Sequence, residues 1–327
     1  MGWSGVSDFE LLIEPRVGVG SGLVLASVVC GDAYFADWER YSLPSWERYA
    51  SRCGYGLAVL TSSRLPGDAN VAWNKFLLPS LVRDELRLGG GTLVLDADQV
   101  FSPVAPDLDD AAAAAGYGLI RNASFSSDSQ ETGKLVSFLR HTAIDENYPL
   151  DSMSLMTADD YVSGRLVTMG GRLPISSGFM LVPSAQSDHL AALTRFGNDP
   201  LAGWDGGGGD ASIATRELQA VPHQMMDERW QGIWPAMMAR RFAHLYFEAP
   251  VSGRVAAAAL VSSLLTTWCI HFSTSWPEKQ YWTVDWMHLW DEYFSAAETA
   301  ELGEYLRRSV EPRSYGRIFA PDFPMVQ

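Results

Sequence analysis

Leu93-Val94-Leu95-Asp96-Ala97-Asp98-Gln99-Val100-Phe101 is an apolar run interrupted by two carboxylates with one residue between them. The leading aliphatic residues read as a buried strand, and Gly89-Gly90-Gly91 just upstream breaks any helix that precedes it. The two aspartates therefore stand at the strand's C-terminal end, where open α/β sheets collect ligands. Two negative charges so close repel each other unless protons or a cation intervene, and a divalent ion bridging them to phosphate oxygens satisfies both. The structural alternative, open to any Asp-x-Asp triplet, has one side chain capping the next turn and the other solvated.

Working outward, Leu23 to Cys30 is another short apolar run, closed by Gly31-Asp32, and Tyr34 to Arg52 follows with helical spacing. Pro44 inside that pattern predicts a kink or two shorter helices. Tyr55 to Thr61 reads as the second strand, Trp73 to Leu88 as the second helix, and Thr92 to Leu95 opens the third strand. Such alternation predicts an α/β fold with a mostly parallel central sheet flanked by helices on both faces. Further along, Gly118 to Arg121, Ile175 to Val182 and Thr267 to Phe272 read as strands, Ser184 to Phe196 and Ala211 to Leu218 as helices, and Trp286 to Arg308 as a helical C-terminal tail. Val251 to Ile270 carries Arg254 and four hydroxyl residues, so it predicts a buried helix followed by a strand and not a membrane span.

Composition removes several function classes. The chain has 327 residues, 47% of them hydrophobic, which is ample for a large core. Its 24 basic and 39 acidic side chains leave a formal charge of −15, so no broad basic face exists for a nucleic-acid backbone. Cys30, Cys53 and Cys269 are far apart and form no Cys-x-x-Cys pair; neither a disulfide framework nor a zinc site is expected. The first residues lack the charge and apolar pattern of a secretory signal, and a cytoplasmic location is the expectation. Gly18-Val19-Gly20-Ser21-Gly22 has no strand before it and does not make a dinucleotide fingerprint.

Two enzyme classes place an Asp-x-Asp at a strand end. Haloacid-dehalogenase-like phosphatases use the first aspartate as nucleophile, usually on their first strand, whereas here the pair follows a complete strand-helix-strand-helix unit. Several stretches in order make the chain resemble the GT-A-fold glycosyltransferases, in particular the retaining glycogenin-like and galactosyltransferase families. Val28-Val29-Cys30-Gly31-Asp32 with Tyr34 resembles the first strand and loop that receive the nucleotide, and Trp73-Asn74-Lys75-Phe76 resembles the helix whose basic residue faces the diphosphate. Asp96-Ala97-Asp98 stands at the metal motif. Ser177 to Val182 resembles the family's Asn-small-Gly strand, with serine in place of asparagine, and Trp204-Asp205 through Gly209-Asp210 resembles its Asp-Gly-Gly-Asp-Gln stretch, with Ala211 in place of glutamine. Ile270-His271-Phe272 with Lys279 resembles its late His-aromatic element.

The resemblance implies a single GT-A domain over residues 23–284, made of a nucleotide-binding half (23–101) and an acceptor-side half (102–284), after an extension at 1–22 and before a tail at 285–327. It implies a UDP-sugar donor, transfer with retention, and Mn²⁺ or Mg²⁺ held by Asp96, Asp98 and His271. Val29, Cys30, Gly31, Tyr34, Lys75, Asp96, Ala97, Asp98 and Lys279 become the expected donor contacts, and Asp205 and Asp210 the residues expected to meet the sugar or acceptor. The residues themselves add weight: of only three lysines, Lys75, Lys134 and Lys279, two fall at positions that would meet phosphate in an otherwise acidic chain. A neutral imidazole at His271 would complete a mixed oxygen and nitrogen shell. Asp210 alone reads equally well as a helix N-cap. The other readings are a phosphatase using Asp96, and a sugar- or nucleotide-binding protein that keeps this fold without turnover.

Overall fold

In chain order the strands are β1 (Phe9–Ile13), β2 (Val24–Val28), β3 (Gly56–Leu60), β4 (Thr92–Leu95), β5 (Gln99–Phe101), β6 (Tyr117–Arg121), β7 (Ile175–Val182), β8 (His223–Met225), β9 (Gly232–Ile233) and β10 (Cys269–His271). They come from a computed structural model that describes residues 8–16, 22–67, 69–108, 116–121, 175–197, 209–237, 241, 253–272 and 282–310. Seven strands form a central sheet in the order β1-β3-β2-β4-β7-β6-β8, and three form a small second sheet in the order β5-β10-β9.

The α/β expectation holds, with the central sheet flanked by helices. Its pairing is mixed: β2 lies parallel to β3 and β4, and β6 to β8, while β1–β3, β4–β7 and β6–β7 are antiparallel. A continuous apolar strand reads alike in either direction, so its pattern does not specify the sense of its partner. Within the stretch read as an N-terminal extension, Phe9–Ile13 forms the edge strand against β3, with Phe9 opposite Leu60.

Both faces of the sheet are covered. Leu25, Leu57, Leu93 and Leu95 belong to one core with Trp46, Trp234 and Trp286. Val24, Ala26, Ala58 and Val94, the alternate residues, belong to the opposite core with Trp73, Phe76 and Leu190. This is the period-two alternation of a strand buried on both sides.

Pro44 has the effect expected of it. Helix Asp32–Asp37 widens into a π-helical turn, Trp38–Ser42, and a new helix, Leu43–Cys53, starts with Pro44 in its first turn, where a missing N–H breaks no bond. Pro79 likewise opens helix Leu78–Asp84 after the 3-10 segment Val71–Leu77. The helix read before β10 is Gly253–Thr266. At the C-terminal end, helices Trp286–Tyr293 and Ala296–Val310 follow one another, and Trp286, Met287 and Trp290 are buried in the core that contains Trp46. Among the described residues no helix is long and apolar enough to cross a membrane.

Candidate functional site

The chain leaves the central sheet after Leu95 and enters the small sheet at Gln99. Asp96-Ala97-Asp98 is the join between the two sheets. Asp96 stays attached to the first sheet, its N–H donating to the Gly178 carbonyl of β7 at 3.0 Å. Asp98 belongs to the second: its carbonyl accepts from Phe272 N–H at 2.9 Å, and β10 runs antiparallel to β5 with His271 opposite Gln99. Strand register therefore carries His271 to the aspartate pair. His271 Nε2 lies 3.2 Å from Asp98 Oδ1 and 3.6 Å from Asp96 Oδ2.

Lys75 enters from the 3-10 segment before helix Leu78–Asp84 and places its ammonium 2.6 Å from Asp96 Oδ1 and 2.9 Å from Asp210 Oδ2. The Lys75 and Asp210 side chains are each only 6% exposed, against 25% for Asp96. Burial alone would pull the ammonium pKa down, but Asp210 and then Asp96 oppose it and hold it above the ordinary lysine value. Asp210 also accepts from Ser177 Oγ at 2.9 Å. The helix that carries it begins at Gly209, so Asp210 stands in the first turn, and its bonds go to Lys75 and Ser177. A carboxylate there also faces the positive end of the helix.

Gly178 closes the site from β7. A Cβ at this position would sit 2.5 Å from Asp96 Oδ2 and 2.8 Å from His271 Cε1, so only glycine leaves the carboxylate and the imidazole where they are. Beneath them Gln99, fully buried, donates through Nε2 to the Gly178 carbonyl and accepts from Cys269 Sγ at 3.2 Å, and its backbone carbonyl accepts from Trp46 Nε1 at 2.8 Å. Gln231, which precedes β9, lies 2.8 Å through its amide from His271 Nδ1.

The sequence-predicted residues thus divide. Lys75, Asp96, Ala97, Asp98, His271 and Asp210 meet in one cluster, with Ala97 buried between the aspartates. Val29, Cys30 and Gly31 lie in the turn after β2, the parallel neighbour of β4, and Tyr34 lies in the helix Asp32–Asp37 that follows. Val29 is buried, its N–H on the Leu60 carbonyl, and Cys30 is half-buried with its thiol also near that carbonyl, so these two present backbone and not side chains. Gly31 has φ 96°, a conformation that favours glycine, and no atom within 4 Å of an added Cβ. Half-buried Tyr34 packs against Trp282, with ring centroids 5.6 Å apart. Burial, then Asp98 and Asp96, push its phenol pKa well up, so it stays neutral. Asp205 and Lys279 lie outside the described residues. Sequence reasoning missed Gln99, Gly178 and Gln231 as site-builders.

The donor set suits a divalent cation that accepts oxygen and nitrogen. Two donors about 2.1 Å from an octahedral ion stand about 3 Å apart, so the Asp98–His271 edge already fits and the Asp96–His271 edge needs a small swing of the carboxylate. Among the described residues no three His, Cys, Asp or Glu side chains are arranged to hold a metal ion as they stand, and Asp96 and Asp98 meet only through His271. Gly178, having no Cβ, lets the Asp96 carboxylate and the His271 imidazole lie directly against β7.

No protein-family model and no curated protein matches the chain. Among solved structures it is similar to a glycosyltransferase involved in the glycosylation of the major capsid of PBCV-1, with 13% identity over 82% of this chain and 98% of that one and a TM-score of 0.46. It is also similar to the galactosyltransferase LgtC solved with donor and acceptor sugar analogues, with 7% identity over 86% and 99% of the two chains and a TM-score of 0.40. A third similar structure is the glycosyltransferase GlyE of Streptococcus pneumoniae TIGR4, with 13% identity over 90% of this chain and 66% of that one and a TM-score of 0.39.

Proposed function

We propose that this protein is a metal-dependent glycosyltransferase that moves a sugar from a UDP-sugar to an acceptor, with retention at the anomeric carbon. The observation that carries the reading is the convergence of Asp96, Asp98 and His271 at the carboxyl end of β4, with the buried Lys75 ammonium on the outer oxygen of Asp96. UDP-sugar and retention rest on the resemblance of the motifs from Val28 to Lys279.

Asp96 and Asp98, with His271, would hold Mn²⁺ or Mg²⁺. The bound cation would neutralise the charge that builds on the leaving diphosphate as the glycosidic bond breaks, a stabilisation strongest in the transition state. Lys75 pins Asp96 Oδ1 and leaves Oδ2 on the His271 side, so the aspartate would offer one oxygen in a fixed direction. Lys75 also holds Asp210, whose carboxylate would meet the sugar or acceptor. The backbone from Val29 to Gly31 and the Tyr34 ring would receive the nucleotide beside the diphosphate, and Lys279 would supply a second cation to it.

A phosphatase reading needs Asp96 free to attack, yet one of its oxygens is on the Lys75 ammonium and the other faces His271. The test is UDP release from UDP-sugars with Mn²⁺, repeated with Asp98→Asn. The variant should lose Mn²⁺-dependent turnover by about 10²-fold or more; turnover and Mn²⁺ binding equal to the wild type would overturn the assignment.

A further inference from the structure

Among the described residues one side chain meets His271 from behind, and it carries a buried atom without a partner. Gln231 is 1% exposed; its Nε2 lies 2.8 Å from His271 Nδ1, and among the described residues no donor reaches its buried Oε1. Where the Gln231 amide donates to Nδ1, the ring proton is on Nε2 and faces Asp98 Oδ1, 3.2 Å away. That is the tautomer for a site without a cation, since an N–H facing carboxylates is favourable. A cation needs the reverse, with the Nε2 lone pair forward and the proton on Nδ1 behind. Turning the amide over by half a rotation puts Oε1 where Nε2 was, ready to accept from Nδ1–H.

We propose that Gln231 is the positioning residue of the cation site: its amide turns over as the cation binds, exchanging a donor for an acceptor at one point in space and so matching either tautomer of His271. The ring's proton count does not change, one proton leaving Nε2 for water and one arriving at Nδ1. Of the side chains that reach this far, glutamine offers both roles without a charge. This inference rests on the proposed cation site and goes beyond it, because it assigns the choice of tautomer to a residue that touches neither cation nor substrate.

The experiment uses the full chain with Mn²⁺ alone, followed by electron paramagnetic resonance, for the wild type, Gln231→Leu and Gln231→Glu. Removal of such a partner typically weakens metal binding 10–100-fold. Gln231→Leu should show that loss, and Gln231→Glu, which can only accept, should restore binding to within a few-fold of the wild type. ¹⁵N-histidine NMR supplies a readout that a merely structural role would not move. The His271 proton should be on Nε2 in the metal-free wild type and on Nδ1 when Cd²⁺, a diamagnetic stand-in, is bound. This NMR test stands even if the leucine variant does not fold. Mn²⁺ binding by Gln231→Leu within twofold of the wild type, or a Cd²⁺ form with no proton on Nδ1, overturns the role of Gln231 alone. Failure of the wild type to bind Mn²⁺ overturns the cation site itself and this inference with it.

Discussion

Gly178→Ala adds one methyl group at the point where the two sheets meet. The backbone at this position is not in the left-handed region, so alanine is conformationally acceptable, and the smaller entropy of its unfolded chain would by itself stabilise by about 0.4–1 kcal/mol. The steric term runs the other way. The new Cβ would stand 2.5 Å from Asp96 Oδ2, and an ordinary contact begins near 3.4 Å, so the carboxylate must retreat by about 0.9 Å. Its other oxygen is on Lys75 at 2.6 Å, so the retreat stretches that ion pair or turns Oδ2 away from His271. Overpacking of this kind costs about 1–3 kcal/mol, and a displacement near 1 Å in an active site costs about 10²-fold in rate. Gly118→Ala is the control: its Cβ would meet Met226 Sδ at 2.7 Å and Leu181 Cβ at 2.9 Å, with no site atom among its near neighbours. Thermal melting, Mn²⁺ titration and UDP release should show both variants destabilised but only Gly178→Ala impaired in cation binding and turnover. If Gly178→Ala binds Mn²⁺ and releases UDP within threefold of the wild type, the packing argument for the site is refuted.

Lys75→Met leaves Asp210 and Asp96 facing each other without their cation, and removing one partner of a buried ion pair costs about 3–5 kcal/mol; urea unfolding showing a loss under 1 kcal/mol would sink this account. Because the folded-state pKa of Lys75 is raised, its contribution is complete below the unfolded lysine value of about 10.4 and is lost only as pH rises through the folded one. The stability gap between wild type and Lys75→Met should therefore stay flat from about pH 7 to about pH 9.5. Trp290→Ala removes a fully buried ring whose Nε1 donates to Thr299 Oγ1 at 2.9 Å, and should cost about 3–5 kcal/mol. Arg48→Ala, at the exposed Arg48–Asp291 pair on the same helix contact, should cost less than about 1 kcal/mol in the same assay; equal losses would mean that the tail is held by charge and not by burial.

What the sequence made legible was local. The run through β4 announces a strand from its own residues, and Asp96 and Asp98 are conspicuous because charge follows directly on apolar chain. Lys75 stood out through the scarcity of lysine. The residues that build the site from behind were not legible, because their roles exist only across long separations. Gln99 meets Gly178 over 79 positions and Cys269 over 170, and Gln231 meets His271 over 40. Each is an ordinary residue in its own neighbourhood. The three-residue strand β5 was invisible for the same reason: it is a strand because β10 lies against it. Phe9–Ile13 could have been found, since Phe-Glu-Leu-Leu-Ile is apolar enough for an edge strand.

The division of labour between charged and uncharged groups explains how such a site can be held open. Asp96 and Asp210 share the buried Lys75 ammonium, and Asp98 stands on the other side of the cluster against His271, so the three carboxylates push apart wherever a positive charge does not lie between them. Their spacing must therefore be fixed by something other than their mutual attraction. Gln99 does this from below with three hydrogen bonds to three different parts of the fold: β7 through Gly178, β10 through Cys269, and helix Leu43–Cys53 through Trp46. Burial, and then Asp98, raise the Cys269 thiol pKa well above the ordinary value. The thiol thus keeps its proton, which is the one Gln99 Oε1 accepts, and no further negative charge is added beneath the aspartates. A neutral lattice of this kind loses little to salt or to the arrival of a cation. The charged groups in front of it can change partners while the strands that carry them stay in register.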